Sequence, residues 1–121
     1  MTLRLELFVG DVDASLTFYR DVLDFELTGE NNTYKSLRFG ESRLAVQDIR
    51  TLEPGHPLAQ SGKRGLGVKF VLEVGDVTAL HGRMQKRWAQ VTDLKRQAWG
   101  LTDFRVTDPD GYYWRITEQR S

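Results

Sequence analysis

One short phrase of the chain occurs twice: Val9-Gly10-Asp11-Val12 returns as Val74-Gly75-Asp76-Val77, 65 residues later. The offset extends beyond those letters. Arg4 matches Lys69, Leu5 matches Phe70, Leu7 matches Leu72, Ala14 matches Ala79 and Leu23 matches Trp88. In both copies an apolar alternation precedes the phrase and a helical spacing follows it. The chain therefore uses one supersecondary unit twice, so equivalent positions can be compared inside a single sequence.

In the first copy Leu3, Leu5, Leu7 and Val9 alternate with Arg4, Glu6 and Phe8, the period of two of a strand with one buried face. Asp11 or Asp13 then offers an N-cap oxygen. Leu16, Tyr19 and Leu23, with Phe18 and Val22 alongside, carry a helical stripe to near Asp24. Strands are predicted over residues 25–28, 34–39 and 43–47, the last two joined by a tight turn at Gly40-Glu41. The second copy repeats the order. Val68, Phe70, Leu72 and Val74 make a strand face, Val77, Leu80, Met84 and Trp88 a helical stripe, and residues 91–94 a weak strand. Residues 101–107 and 112–117 form a last hairpin about Asp108-Pro109-Asp110-Gly111, where proline presets φ and glycine accepts a positive one. The prediction is an α+β chain of two tandem βαβββ modules in one domain. Module one runs over about 1–48, a connecting segment over about 49–66 and module two over about 67–121. The connecting segment holds Pro54, Gly55, Pro57, Gly62 and Gly65, and reads as a linker or as a lid over a pocket.

A chain of 121 residues can bury a core without covalent staples. The absence of cysteine excludes disulfides, thiolate zinc sites and cysteine nucleophiles. Seventeen basic and seventeen acidic side chains cancel, which leaves no electrostatic footprint for nucleic acid or an anionic membrane. No apolar run approaches the roughly 20 residues of a membrane helix, and the N-terminal strand pattern lacks the features of a signal peptide. These readings predict a cytoplasmic protein whose partner is a small molecule, or another protein.

The segments FVGDVDASLTFYRDVLDFEL and WGLTDFRVTDPDGYYWRITE resemble the vicinal oxygen chelate superfamily, which includes glyoxalase I, extradiol dioxygenases, fosfomycin-resistance enzymes and bleomycin-resistance proteins. The similarity covers nearly the whole chain. It implies paired βαβββ modules whose curled mixed sheets form a cupped groove, commonly completed by a homodimer. In metal-using members, the resemblance further implies, His, Glu or Gln side chains hold the ion from four quasi-equivalent positions on the first and last strands of each module. Here those positions fall on Arg4, Lys69, Ala45 (with Gln47 one pleat on) and Arg115. Ammonium and guanidinium groups have no free lone pair and alanine has no donor atom, so none of the four ligates a divalent ion. A register shift that gathers Glu6, Gln47 and Glu73 is the remaining route to a metal site. His81 in the second helix and His56 in the loop read as surface or partly packed imidazoles. The expectation is therefore no metal and no cofactor.

Strand alternation places Arg4, Glu6 and Phe8 on one inner face with Lys69, Val71 and Glu73. The hairpins add Ser36, Arg38, Arg43, Ala45, Gln47, Leu101, Asp103, Arg105, Tyr113, Arg115 and Thr117. Two readings of this face stay open. Arginines and carboxylates pair across strands, or arginine forks grip a ligand bearing carboxylates, phenols or carbonyls. Tyr34 and Trp99 are also 65 residues apart, which predicts that each stands at the entrance to the central hairpin of its module, where a ring can stack on a planar ligand. Trp99-Gly100 resembles the tryptophan-glycine of bleomycin-resistance proteins, in which such rings grip an aromatic antibiotic without altering it. The plainer alternative is that Trp99 anchors the start of a strand. Trp114 reads as core and Tyr113 as inner face.

The candidate ligand-binding set is Tyr34, Arg38, Gln47, Trp99, Asp103, Tyr113, Arg115, Arg4, Glu6 and Lys69, with no catalytic residue. Binding and sequestration of an aromatic or polar antibiotic-like molecule in the groove of a homodimer ranks first. A metal-dependent glyoxalase, lyase or dioxygenase ranks second, and a metal-free isomerase using Glu6 or Glu73 as base third. No Ser and His pair falls on the inner face, so a hydrolase finds no support.

Overall fold

The computed structural model describes residues 1–59 and 64–119, and the chain divides into two compact units, Met1–Gly62 and Lys63–Ser121. In the first unit the elements run β1 (Arg4–Val9), α1 (Val12–Thr17), β2 (Glu26–Asn31), β3 (Tyr34–Phe39) and β4 (Ser42–Asp48). The second runs β5 (Phe70–Val74), α2 (Val77–Gln85), β6 (Lys95–Arg96), β7 (Thr102–Thr107) and β8 (Tyr113–Glu118). Each unit is thus the predicted βαβββ module. Each forms an open four-stranded mixed sheet, ordered β1-β4-β3-β2 in the first and β5-β8-β7-β6 in the second. The first strand pairs parallel with the last, and the hairpin strands pair antiparallel.

The repeated phrase does the same work in both units. Asp11 Oδ1 accepts hydrogen bonds from the backbone N–H groups of Asp13 and Ala14, at 3.0 and 3.1 Å. Asp76 Oδ1 accepts from Ala79 N–H at 3.0 Å. Each aspartate satisfies donors that a helix N-terminus would otherwise leave orphaned. Asp11, and not Asp13, is the cap. Val12 and Val77, the next residue in each copy, turn inward and are buried.

The first helix does not run regularly to Asp24. After Thr17 it widens into a π-helical turn over Phe18–Val22, closed by Leu23 N–H donating to Phe18 O at 3.0 Å. The extra residue per turn brings Phe18, Tyr19, Val22 and Leu23 all into the core. Asp24, at φ +67°, then reverses the chain. Tyr19 meets Phe18 and Phe25 edge to face, at centroid distances of 4.9 and 5.9 Å. This aromatic cluster, with Leu7, Val9, Leu37, Leu44 and Val46, fills the space between α1 and β3–β4.

In the second unit α2 packs on β7 and β8 over Leu72, Val74, Phe104, Val106, Trp114 and Ile116. The strand predicted at residues 91–94 is displaced. Val91 makes a single bridge to Val106, and the two-residue β6 follows at Lys95–Arg96. His81 is also further inside than the sequence suggested. It is buried edge to face against Phe104, its Nε2 2.9 Å from Thr92 O, so it ties α2 to the segment before β6.

The Asp108 turn is built as predicted. Buried Asp108 Oδ1 accepts from Asp110 and Tyr112 N–H groups at 2.9 and 2.8 Å, and Gly111 supplies φ +101°. Of the connecting segment, Ile49–Thr51 and Pro57–Ala59 are short 3₁₀ turns, while residues 60–63, Gly62 among them, lie outside the described residues. Among the described residues no helix is long and apolar enough to cross a membrane.

Candidate functional site

Because side chains alternate across a strand, the pairing registers fix which groups share a face. On the first sheet the face away from α1 carries three cross-strand rows. Arg4, Arg43, Arg38 and Glu26 form the first row; Glu6, Ala45 and Ser36 the second; Phe8, Gln47, Tyr34 and Asn31 the third. The other side of the same strands presents Leu5, Leu7, Leu37, Leu44 and Val46 to the core. Arg4, Glu6, Tyr34, Arg38 and Gln47, all singled out from the sequence, therefore stand together on one polar face. Arg4 Nη2 donates to Glu6 Oε1 at 3.3 Å, Arg38 Nη2 to Glu26 Oε2 at 3.2 Å, and Gln47 Nε2 to Thr51 Oγ1 at 2.8 Å. Part of this face is thus the cross-strand pairing that the sequence allowed.

On the second sheet the matching face carries Val71, Arg115 and Arg105 in one row and Glu73, Thr117, Asp103 and Lys95 in the next. Asp103 is its centre, with 1% of its surface exposed. Its Oδ1 accepts from Gln97 Nε2 at 2.8 Å. Its Oδ2 lies 3.1 Å from Arg105 Nη1 and 3.9 Å from Arg115 Nε. Yet Oδ2, Nη1 and Nε are buried without a completed hydrogen bond among the described residues. Charge, more than hydrogen-bond alignment, holds the three groups together. Trp99 stands over this group, with the Arg115 guanidinium 5.8 Å from its ring centroid and half of its surface, 51%, open to solvent. That is cation–π geometry.

Trp99 is placed by the β6–β7 turn. Gln97 N–H donates to Leu101 O at 2.8 Å, Gly100 N–H to Gln97 O at 3.0 Å, and Gly100 adopts φ +93°, where a side chain would be strained. The register corrects one expectation. Ser36 opposes Ala45 as Arg105 opposes Arg115, so the repeat offset grows from 65 in the first strand and helix to 69 in the third strand and 70 in the last. Tyr34, opposite Gln47, corresponds to Asp103, opposite Thr117, and not to Trp99. Tyr34 opens β3, whereas Trp99 stands in a turn ahead of β7.

Lys69 directly precedes β5 and lines, with Leu66, Val68 and Tyr113, an open cavity of about 690 Å³. Trp114 is buried and Tyr113 exposed, as alternation required. Sequence reasoning missed Gln97 as a ligand of Asp103. It also missed Lys35, 5% exposed on the helix side of β3, whose Nζ donates to Glu30 Oε1 at 3.1 Å and Asn31 O at 2.9 Å. A carboxylate five residues before a strand lysine was the one available signal.

The divalent ion that the family resemblance implies does not fit the side chains present. Glu6 opposes Ala45, Arg4 opposes Arg43 and Val71 opposes Arg115, so the implied positions offer cations and a methyl group where lone pairs are needed. Among the described residues no three His, Asp or Glu side chains are grouped to hold a metal.

A family model described as Glyoxalase/Bleomycin resistance protein/Dioxygenase superfamily matches residues 3–116. Among solved structures, a protein of unknown function from Agrobacterium tumefaciens str. C58 is 27% identical, with 99% of this chain and 94% of that one covered and a TM-score of 0.82. A lactoylglutathione lyase from Agrobacterium tumefaciens is 22% identical over 98% of this chain and 92% of that one, TM-score 0.74. A bleomycin-binding protein from Streptomyces verticillus, complexed with copper(II)-bleomycin, is 22% identical over 99% and 97%, TM-score 0.68. At 22% identity the last two share the fold, and fold alone does not transfer chemistry. No curated protein matches the sequence. With two βαβββ units, the two polar sheet faces and a family match over nearly its full length, the chain belongs to the Glyoxalase/Bleomycin resistance protein/Dioxygenase superfamily.

Proposed function

We propose that this protein binds a planar, polar, antibiotic-like small molecule without altering it, as a metal-free cytoplasmic sequestration protein working as a homodimer. One observation carries the reading: the half-exposed Trp99 ring backed by Arg115, whose guanidinium is held, like that of Arg105, by the buried Asp103 carboxylate. A ring in that position gives an aromatic ligand a stacking platform, and the Arg115 guanidinium against it donates to the ligand's carbonyl or acidic oxygens. The bleomycin-binding protein of the same fold supports the choice of ligand class. The mismatch between the implied metal positions and their cationic occupants supports binding over metal chemistry.

The test is a fluorescence titration with bleomycin and other planar antibiotics. Trp88 is partly covered and Trp114 is buried, so Trp99 dominates the quenchable signal. Saturable quenching, lost in Trp99→Phe, supports the reading. Stoichiometric zinc, nickel or iron in the purified protein, or lyase turnover on adding one of them, replaces it with the enzyme reading that the lactoylglutathione lyase fold suggests.

A further inference from the structure

We infer that the polar face of the first sheet carries an oxyanion site of its own, built on the row Arg4, Arg43 and Arg38 and suited to the carboxylate of a small organic acid. The site lies wholly within the first unit and does not depend on Trp99 or on the sequestration reading.

The register sets Arg4 directly opposite Arg43, and Arg43 directly opposite Arg38. Side chains so paired have Cβ atoms only about 4.5–5.5 Å apart, and like charges in such pairs destabilise a sheet. The outer two arginines have their own carboxylates, Glu6 at 3.3 Å and Glu26 at 3.2 Å. The Arg43 guanidinium, in the middle, has neither an ion-pair nor a hydrogen-bond partner among the described residues. Three guanidiniums facing two carboxylates leave one positive charge over. An anion on this face relieves the repulsion.

The shape agrees with the charge. The three arginines, with Thr28, Tyr34 and Ser36, line a cavity of about 300 Å³, the lower end of the range for small-molecule sites. The Thr28 and Ser36 hydroxyls in it are spent, because Thr28 Oγ1 pairs with Ser36 Oγ at 3.0 Å and Ser36 donates to Gly29 O at 3.3 Å. Recognition therefore falls to the guanidiniums, with the Tyr34 hydroxyl as the remaining neutral donor in the lining. Arg43 presents an unspent planar fork of donors that matches the two oxygens of a carboxylate, and the Tyr34 ring gives the organic part an apolar wall. One surplus charge favours a carboxylate monoanion over a phosphate dianion.

The experiment measures binding of sodium benzoate by calorimetry and by thermal unfolding at low ionic strength, with sodium chloride of equal ionic strength as control. Benzoate is expected to raise the unfolding temperature where chloride does not. Arg43→Gln is expected to unfold at a higher temperature than the parent without ligand, because the like-charge contact is gone, and to bind benzoate about tenfold more weakly. Arg43→Lys keeps the charge without the fork and is expected to fall between. Equal benzoate affinity in Arg43→Gln and the parent overturns the site, as does a lower ligand-free unfolding temperature in that variant. Tighter binding of inorganic phosphate than of benzoate overturns the assigned class. Trp99→Ala is expected to bind benzoate unchanged; loss of binding there places benzoate in the second unit and overturns the inference. Intact benzoate binding with no antibiotic titration removes the sequestration reading alone.

Discussion

The Arg115 guanidinium carbon lies 5.8 Å from the centroid of the Trp99 ring, on the strand next to the one that holds buried Asp103. The indole thus has one face engaged by a cation while half of its surface remains open. Substituting Trp99 by alanine is expected to weaken a stacked planar ligand by about 1–3 kcal/mol, as for other aromatic platforms. Stability without ligand should change little, since the ring is not part of the core. Titration calorimetry and urea unfolding of the same variant separate the two effects, and unchanged affinity removes Trp99 from the site.

Asp103 holds Arg105 and Arg115 in place from a buried position. Its replacement by asparagine leaves two guanidiniums together without their anion, and a destabilisation of about 1–3 kcal/mol is expected. Arg105→Gln removes one cation and should cost less. Urea unfolding that ranks the two variants in the opposite order shows that the carboxylate does not organise the group.

Lys35 is a charge inside the first unit, held by Glu30, by the Asn31 carbonyl and more distantly by Asp13 at 3.8 Å. Methionine keeps the stem of the side chain and removes the charge. Alanine also leaves a void. Lys35→Ala is expected to lose about 2 kcal/mol or more, and Lys35→Met less than half of that, because methionine fills the space of the stem and the Glu30 carboxylate left behind is half exposed and met by water. Equal losses in chemical denaturation would show that the ion pair, and not the packing of the stem, is what matters.

Asp48 caps the 3₁₀ turn after β4 and accepts from Arg50 three times, the shortest contact being Nη2 to Oδ2 at 2.6 Å, with Arg50 N–H adding a fourth bond at 2.9 Å. Hydrogen bonds from the Arg50 side chain, then from its backbone, hold the Asp48 carboxyl below the ordinary carboxylate range. A group whose pKa is depressed by folding contributes stability that is complete above its unfolded value, near about 4, and lost as pH falls through the lower folded value. The stability gap between the parent and Asp48→Asn is therefore expected to be constant from neutral pH down to about pH 5 and to shrink below about pH 4. Unfolding at several pH values checks this, and a gap that widens in acid refutes it.

Gly65, at φ +77°, lies against the Tyr112 ring, and a Cβ there would come within 2.8 Å of Tyr112 Cδ1. Gly65→Ala combines a strained backbone with a close contact. A loss of more than about 1 kcal/mol is expected in thermal or urea unfolding, and a neutral result would show that the ring moves aside freely.

Much of this architecture is local, and for that reason legible in the sequence. Alternation in Arg4–Val9 assigned Leu7 and Val9 to the core and Arg4 and Glu6 to the polar face, because neighbouring side chains on a strand must point to opposite sides. The repeated aspartate marked both helix starts, since a carboxylate at that position meets backbone donors within three residues. The family resemblance rested on these same segments.

What the sequence could not settle depends on partners distant along the chain. Counting 65 residues equated Tyr34 with Trp99, but extra residues ahead of β7 shift the register, and hydrogen-bonded pairing equates Tyr34 with Asp103. The sequence does not single out Lys35 or Asp48, and it places Asp103 only on the inner face, with nothing to mark it as buried. Each is buried because a carboxylate, carbonyl or guanidinium comes to meet it, and burial of a charge depends on that company more than on residue type. The chain's own letters thus set the faces and the caps. Only tertiary pairing decided that Arg4 closes on Arg43 from the far side and that Trp99 covers Arg115, because the first needs the parallel pairing of β1 with β4, 39 residues apart (43 less 4), and the second brings a turn over a strand it does not adjoin in sequence.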